Sequence, residues 1–305
     1  MSSDIIRSIL ANYESDNPGT KANLYRMLNT GRLAGTGKMV ILPVDQGYEH
    51  GPAASFAPNP AAYDPHYLYK LALKAQLNAF AAPLGLLETG ADTFAGQIPL
   101  ILKLNNANGL FPAGSPKDQA LTGNVQDAIR IGASAIGFTM YPGSEKSYDM
   151  MEEVKELISE AKSHGIATVL WSYPRGGDLK AADETAVDVI AYATHMAALL
   201  GAHIIKVKIP GDHFKDEKAK ANYADNGIAT STAAERVAHI KQCAFAGKRM
   251  VVFSGGGKKG ADAVFDDAKS ILAGGGNGSI IGRNSFQRSM DDACDMLGKV
   301  IDIYN

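Results

Sequence analysis

Eight short apolar runs, separated by longer segments of helical spacing, limit this chain more than any other feature. The runs are 39–44, 78–82, 99–104, 135–140, 166–171, 203–209, 249–253 and 279–282. Several are apolar almost without a break, as strands are when helices cover them. Between them, Val187, Ile190, Ala191, Thr194 and Ala198 fall on one helical face of segment 182–201. Segment 145–164 has Ser144 placed to cap its start and Gly165 placed to stop it. The last helix is expected near 285–303, with Met290, Ala293, Cys294, Leu297 and Ile301 on one face. Strands alternating with helices imply a parallel sheet. Eight repeats fit an α/β fold of the (β/α)8 TIM-barrel type better than an open doubly wound sheet. The open sheet is the competing architecture, but no Gly-x-Gly-x-x-Gly follows the first run. Residues 1–38 read as an N-terminal extension with a short helix near 4–11, and 39–305 as a single barrel domain.

Composition removes several function classes. Apolar residues make up 46%, charged residues 20%, and the formal net charge is −2. Nucleic-acid binding therefore has no electrostatic support. No apolar run is long enough to span a membrane, so no membrane partner is expected. The two cysteines, Cys243 and Cys294, exclude a disulfide framework and favour a reducing, cytoplasmic compartment. No His, Cys, Asp and Glu set has metal-ligand spacing, so neither a metal nor another cofactor is expected. No Gly-x-Ser-x-Gly elbow supports serine hydrolysis. His164 and His195 read as structural.

A barrel of this kind works at the C-terminal ends of its strands. That rule selects Asp45, Lys103, Asn105, Asn106, Tyr141, Trp171, Tyr173, Arg175, Lys206, Lys208, Ser254 and Arg283. The lysines of the sixth run are the most informative. Side chains alternate along a strand, so Ile205, Val207 and Ile209 share one face, and Ile204, Lys206 and Lys208 the other. The outer face of a barrel strand packs on helices, which turns both lysines inward. Burial and a second ammonium nearby both disfavour the charged form of an amine, and attack on a carbonyl needs the neutral form. The plainer alternative is a lysine that pairs with a buried carboxylate or a phosphate. Asp45 either caps the next turn or serves as a proton acceptor beside the amine. Trp171 either fills the core or lines the site, and Tyr173 either packs or moves protons. Arg175 is either a phosphate ligand or a surface charge.

The turn Ser254-Gly255-Gly256-Gly257 and the segment Gly282-Arg283-Asn284 follow the seventh and eighth runs. Those are the two loops that build a phosphate site in such barrels. Glycines allow close approach of backbone N–H groups, and an arginine at a helix start adds positive potential. His50 lies in the first loop, in reach of a distal phosphate. The glycine run 274–278 precedes the eighth run, at the opposite end, and reads as a helix stop.

The stretch Leu42-Pro43-Val44-Asp45-Gln46-Gly47-Tyr48-Glu49-His50-Gly51-Pro52 resembles the first active-site loop of the prokaryotic, archaeal-type class I fructose-1,6-bisphosphate aldolases. The resemblance continues in order through Ser55–Pro60, Leu102-Lys103-Leu104-Asn105, Thr168–Tyr173, Gly201–Lys206, Ser254-Gly255-Gly256 and Ile281-Gly282-Arg283, covering nearly the whole chain. It implies a metal-independent barrel whose Schiff-base lysine matches Lys206. Tyr173 matches the family's proton-transfer tyrosine, Trp171 its neighbour and Asp45 the first-strand carboxylate. Ser254, Gly255, Gly256, Gly282 and Arg283 match the phosphate cradle. The resemblance also implies a homo-oligomer, with the N-terminal extension as a candidate contact. Lys206-Val207-Lys208-Ile209-Pro210 departs from the polar run of many barrel aldolases, which leaves Lys208 either a tuner of its neighbour or a substrate contact. The expected partner is a phosphorylated sugar, cleaved as fructose 1,6-bisphosphate. A related aldolase, transaldol-type synthase or thiolase, and a barrel that only binds sugar phosphate, are the competing functions.

Overall fold

The computed structural model describes residues 4–112, 114–255 and 260–305. Eight strands close into a parallel barrel: β1 (Met39–Pro43), β2 (Ala79–Pro83), β3 (Leu100–Lys103), β4 (Ala135–Met140), β5 (Ala167–Ser172), β6 (Ile204–Lys208), β7 (Met250–Ser254) and β8 (Gly278–Ile280). They pair in sequence order, and β8 closes the ring on β1. The expected barrel is therefore the observed one, and each expected strand falls within two residues of its run.

Alternation along the strands sorts the apolar residues into two cores. Met39, Ile41, Ala79, Ala81, Ile101, Ala135, Ala167, Val169, Trp171, Ile204, Met250, Val252 and Ile280 fill the barrel. Val40, Leu42, Phe80, Leu102, Ile136, Phe138, Leu170, Ile205, Val207 and Phe253 face the helices. The four alanines among the inner residues suit the restricted space at the centre of an eight-stranded barrel.

Two helices precede the barrel: α1 (Asp4–Ala11), near its expected place, and α2 (Pro18–Leu28), which the sequence reading missed. The signals for α2 are nonetheless local. Asn17 caps it by accepting from Thr20 N–H, and Pro18 takes the first turn, where no intrahelical donor is needed. Ile6, Tyr13, Leu24, Met27 and Leu28 join the inner core and close the N-terminal end of the barrel. Burying each of the four aliphatic or thioether side chains stabilises by roughly 1.5–3 kcal/mol over leaving it exposed. These side chains are therefore spent inside the molecule. Asn78 fastens the end of α2: its amide donates to Met27 O and Thr30 O, and its carbonyl accepts from Val40 N–H.

A polar lock sits in the same plug. His203 is wholly buried at the foot of β6. Its Nδ1 accepts from Thr168 N–H at 2.9 Å, so Nε2 carries the proton and donates to Asp16 Oδ2 at 2.9 Å. Lys162 Nζ lies 3.5 Å from Asp16 Oδ1, and Tyr13 OH donates to His203 O at 2.6 Å. Gly165, at φ +72° past the end of helix Ser147–Ser163, brings its backbone against Gly19, where a Cβ would meet Cα at 3.0 Å. That helix starts later than expected. Ser144 is not its N-cap; its Oγ accepts from Lys146 N–H in the preceding turn. The last helix is also divided, into Arg283–Phe286 and Met290–Tyr304.

Burial disfavours the imidazolium and lowers the His203 pKa below its ordinary 6.5, more than Asp16 raises it. Burial would raise Asp16, but His203 and Lys162 outweigh it and hold the carboxyl low. A histidine lowered in the fold contributes stability above its unfolded value and loses it as pH falls. The unfolding midpoint should therefore drop between about pH 7 and pH 5, and drop less in His203→Gln. Asp16→Ala, which strands the His203 donor, should cost about 1–3 kcal/mol in denaturant titrations at pH 7.

Candidate active site

The C-terminal mouth of the barrel opens into a cavity of about 200 Å³. Lys206 lines it, 4% exposed, on the inward face of β6. It is the register partner of Trp171 on β5. Lys206 Nζ lies 5.2 Å from the Trp171 ring centre and 5.4 Å from that of Tyr173. This range is that of a cation–π contact. Trp171 is 1% exposed and its Nε1 has no hydrogen-bond partner among the described residues. Its ring takes the space left by Gly137 on β4, where a Cβ would meet the indole at 2.4 Å.

Lys103 also approaches this indole, 5.9 Å from the ring centre and 2% exposed. Its Nζ donates to the Asn105 side chain at 2.8 Å, to Asn105 O, and to Gln119 Oε1 at 3.4 Å. Burial pulls its pKa down to about 7, with Lys206 pushing the same way and Asp45 opposing. The second inward ammonium is thus supplied by β3. Of the alternatives open for Lys208, a tuner of its neighbour, a substrate contact or the partner of a carboxylate, the last is seen directly: Lys208 Nζ lies 2.6 Å from Glu184 Oε2. It still lines the cavity.

Asp45 is half-buried on the cavity wall, before helix Gln46–Phe56. Its side chain makes no capping hydrogen bond, so the plain capping alternative is not the one adopted. His50 is exposed at the rim. Ser254, Gly255, Gly282 and Arg283 line the wall between β7 and β8. Gly256 lies outside the described residues. Arg283 begins a helix of one turn, so less dipole stands behind this wall than a long helix would supply. A Cβ on Gly282 would meet Pro43 O at 3.0 Å, which ties this segment closely to β1.

Sequence reasoning left Arg175 undecided and passed over its carboxylate partners. Arg175 NH1 lies 2.7 Å from Glu49 Oε1, and its Nε lies 3.5 Å from Glu184 Oε2. The guanidinium sits over the rings of Tyr141 and Tyr173, at 5.7 and 5.6 Å. Burial works against its charge, but Glu49, Tyr141 and Glu184 hold it protonated. Burial likewise would raise Glu49, yet Arg175, His50 and Arg283 keep its carboxyl below the ordinary range. Burial and Glu49 push Tyr141 up to about 12. The separation of Tyr173 and Arg175 by two residues was the available signal for a shared face. Glu184 carries none, because it lies in a long connection after β5.

A buried amine, two tyrosines, a carboxylate and several cations thus meet at one end of a barrel. The family model of the DeoC/LacD aldolases matches residues 39–288. The chain belongs to that family. This aldolase is 34% identical to the probable class 1 fructose-bisphosphate aldolase of Chlamydia trachomatis, over 99% of its own length and 89% of the relative's. It is 37% identical to the class 1 fructose-bisphosphate aldolase of Thermoproteus tenax, over 84% and 86% of the two chains. An archaeal fructose-1,6-bisphosphate aldolase, solved with its catalytic lysine covalently bound to the carbinolamine intermediate, superposes with a TM-score of 0.76. The identity there is 30%, over 93% of this aldolase and 99% of the other chain.

Gly137→Ala should force Trp171 out of its seat. The expected cost of such overpacking is about 1–3 kcal/mol. Trp171 is the chain's single tryptophan, so a red-shifted emission spectrum in the folded variant would report the displacement directly.

Proposed function

We infer that this protein is a class I, Schiff-base aldolase that reversibly cleaves fructose 1,6-bisphosphate into dihydroxyacetone phosphate and glyceraldehyde 3-phosphate. The observation that carries this reading is the buried Lys206 amine, held between Trp171 and Tyr173 in a cavity with cations on two sides. The names of the similar enzymes support it.

In the cleavage direction, the Lys206 Nζ lone pair attacks the C2 carbonyl, and the carbonyl pair moves to oxygen, which takes a proton. Loss of water from the carbinolamine leaves an iminium. Removal of the C4 hydroxyl proton then releases the aldehyde, as the C3–C4 bonding pair passes into the iminium. The resulting enamine takes a proton at C3, and water returns dihydroxyacetone phosphate and the free amine. Tyr173, with Asp45, serves as the proton carrier, since both line the cavity that holds the amine. Trp171 fixes the direction of the Lys206 side chain. Lys103 adds positive charge below the reacting carbon. Ser254, Gly255, Gly256, Gly282 and Arg283 hold the 1-phosphate, so remote binding energy positions the ketone. Arg175, Lys208 and His50 face the other phosphate.

The amine and proton carriers account for the chemistry with protein side chains, so we assign no metal and no cofactor. No described helix is long and apolar enough to cross a membrane. With two free cysteines, we place the enzyme in the cytoplasm, as a homo-oligomer in the sugar-phosphate traffic of glycolysis and gluconeogenesis.

Borohydride added with substrate should leave a covalent adduct on the peptide containing Lys206, identified by mass spectrometry. Full activity in Lys206→Ala, or loss of activity in EDTA, would overturn the mechanism. Tyr173→Phe should lower kcat by roughly 10²- to 10⁴-fold, the usual share of general acid–base catalysis.

A further inference from the structure

Four charged side chains form a chain across the rim: Lys208, Glu184, Arg175 and Glu49. A single oxygen, Glu184 Oε2, stands 2.6 Å from Lys208 Nζ and 3.5 Å from Arg175 Nε. Arg175 NH1 continues to Glu49 Oε1 at 2.7 Å. Side-chain exposure is 18% for Lys208, 23% for Glu184 and 25% for Arg175, so these charges are poorly hydrated and act on each other more strongly than surface pairs do. Two cations face two carboxylates, and their charges cancel.

Glu184 sits on the single turn Asp183–Thr185. That turn is fixed by backbone bonds to the loop after β6. Gly211 N–H donates to Thr185 O at 2.7 Å, and Val187 N–H to His213 O at 3.0 Å. The backbone beneath the carboxylate therefore stays in place whether or not the carboxylate keeps its two cations. Glu49 is different: Arg283 and His50 act on it as well as Arg175, so it has cations to answer in more than one direction.

We propose that Glu184 is a displaceable stand-in for the substrate's second phosphate, resting on Lys208 and Arg175 and turning away when that phosphate arrives. This rests on the bisphosphate reading above. Displacing the carboxylate weakens the binding of every anion at the rim. A sugar already anchored at the β7–β8 wall recovers that loss, because its second phosphate is delivered at high effective concentration. Free phosphate is not, and is rejected. Glu184 is then a specificity-determining residue that keeps free anions off the rim, at some cost in bisphosphate affinity.

The test is Glu184→Gln, which keeps shape and removes charge. Binding of inorganic phosphate is followed by calorimetry, and KM is measured for fructose 1,6-bisphosphate and fructose 1-phosphate. Inorganic phosphate should bind roughly three- to tenfold more tightly to Glu184→Gln than to the wild type. The ratio of the bisphosphate KM to the monophosphate KM should fall. In a Lys208→Met background, Glu184→Gln should tighten phosphate binding less. Unchanged or weaker phosphate binding by folded Glu184→Gln would overturn the proposal and leave Glu184 a brace for its cations. Should Glu184→Gln not fold, Glu184→Asp, whose carboxylate cannot reach both cations, must shift phosphate binding in the same direction, or the proposal fails. If the wild type cleaves neither ketose, the bisphosphate reading fails, while the phosphate measurements still decide the role of Glu184.

Discussion

The structure depends on keeping two amines inside a closed barrel, 5.9 and 5.2 Å from the centre of one indole. Lys103 and Lys206 are nearly without solvent, and neither has a carboxylate in direct contact among the described residues. Burying charge this way is costly unless the charge is relinquished or matched. The barrel answers with neutral acceptors on Asn105 and Gln119, with an aromatic face, and with Asp45 acting from the wall. Everything around these amines is arranged to hold them without quenching them. Among the described residues of the site, Lys208 and Arg175 at the rim are the cations that a carboxylate meets directly.

The position of Lys206 is fixed from both ends of β6. At the foot, His203 is locked to Thr168 and Asp16. At the top, Ile209 N–H donates to Ser254 O, and Gly211 N–H to Thr185 O. A slip of one residue would turn the amine outward among the helices, because inward and outward residues alternate. The two locks and the parallel ladders on either side make that slip expensive.

Parity and run length made much of this legible in the sequence. Eight runs sufficed for the barrel, and the alternation of Ile204, Lys206 and Val207 sufficed for the orientation of the lysine. Both are local properties of a strand. What escaped depends on distant residues. That Lys103, rather than Lys208, is the second buried amine follows from the placement of β3 two strands away from β5, across the barrel interior. Glu184 meets Lys208 through a turn 24 residues earlier in the chain, with no periodicity to announce it. The antiparallel ribbon of Asn105–Asn106 with Ala120–Leu121 also escaped, since two-residue strands have too little pattern to read. The short helix α2 had its cap and its proline in plain view, but its apolar residues gained meaning only from the open barrel end that they cover.

The backbone zipper between the loops after β5 and β6 has a consequence for how such enzymes diversify. The bonds from Gly211 to Thr185 and from Val187 to His213 involve main-chain atoms alone. They hold the rim in shape whatever side chains it carries. A lineage can therefore rewrite the charges at positions 184 and 208 while the amine below keeps its address. The charges at the rim and the buried amine can change separately in this barrel, because different parts of the same two strands and their loops carry them.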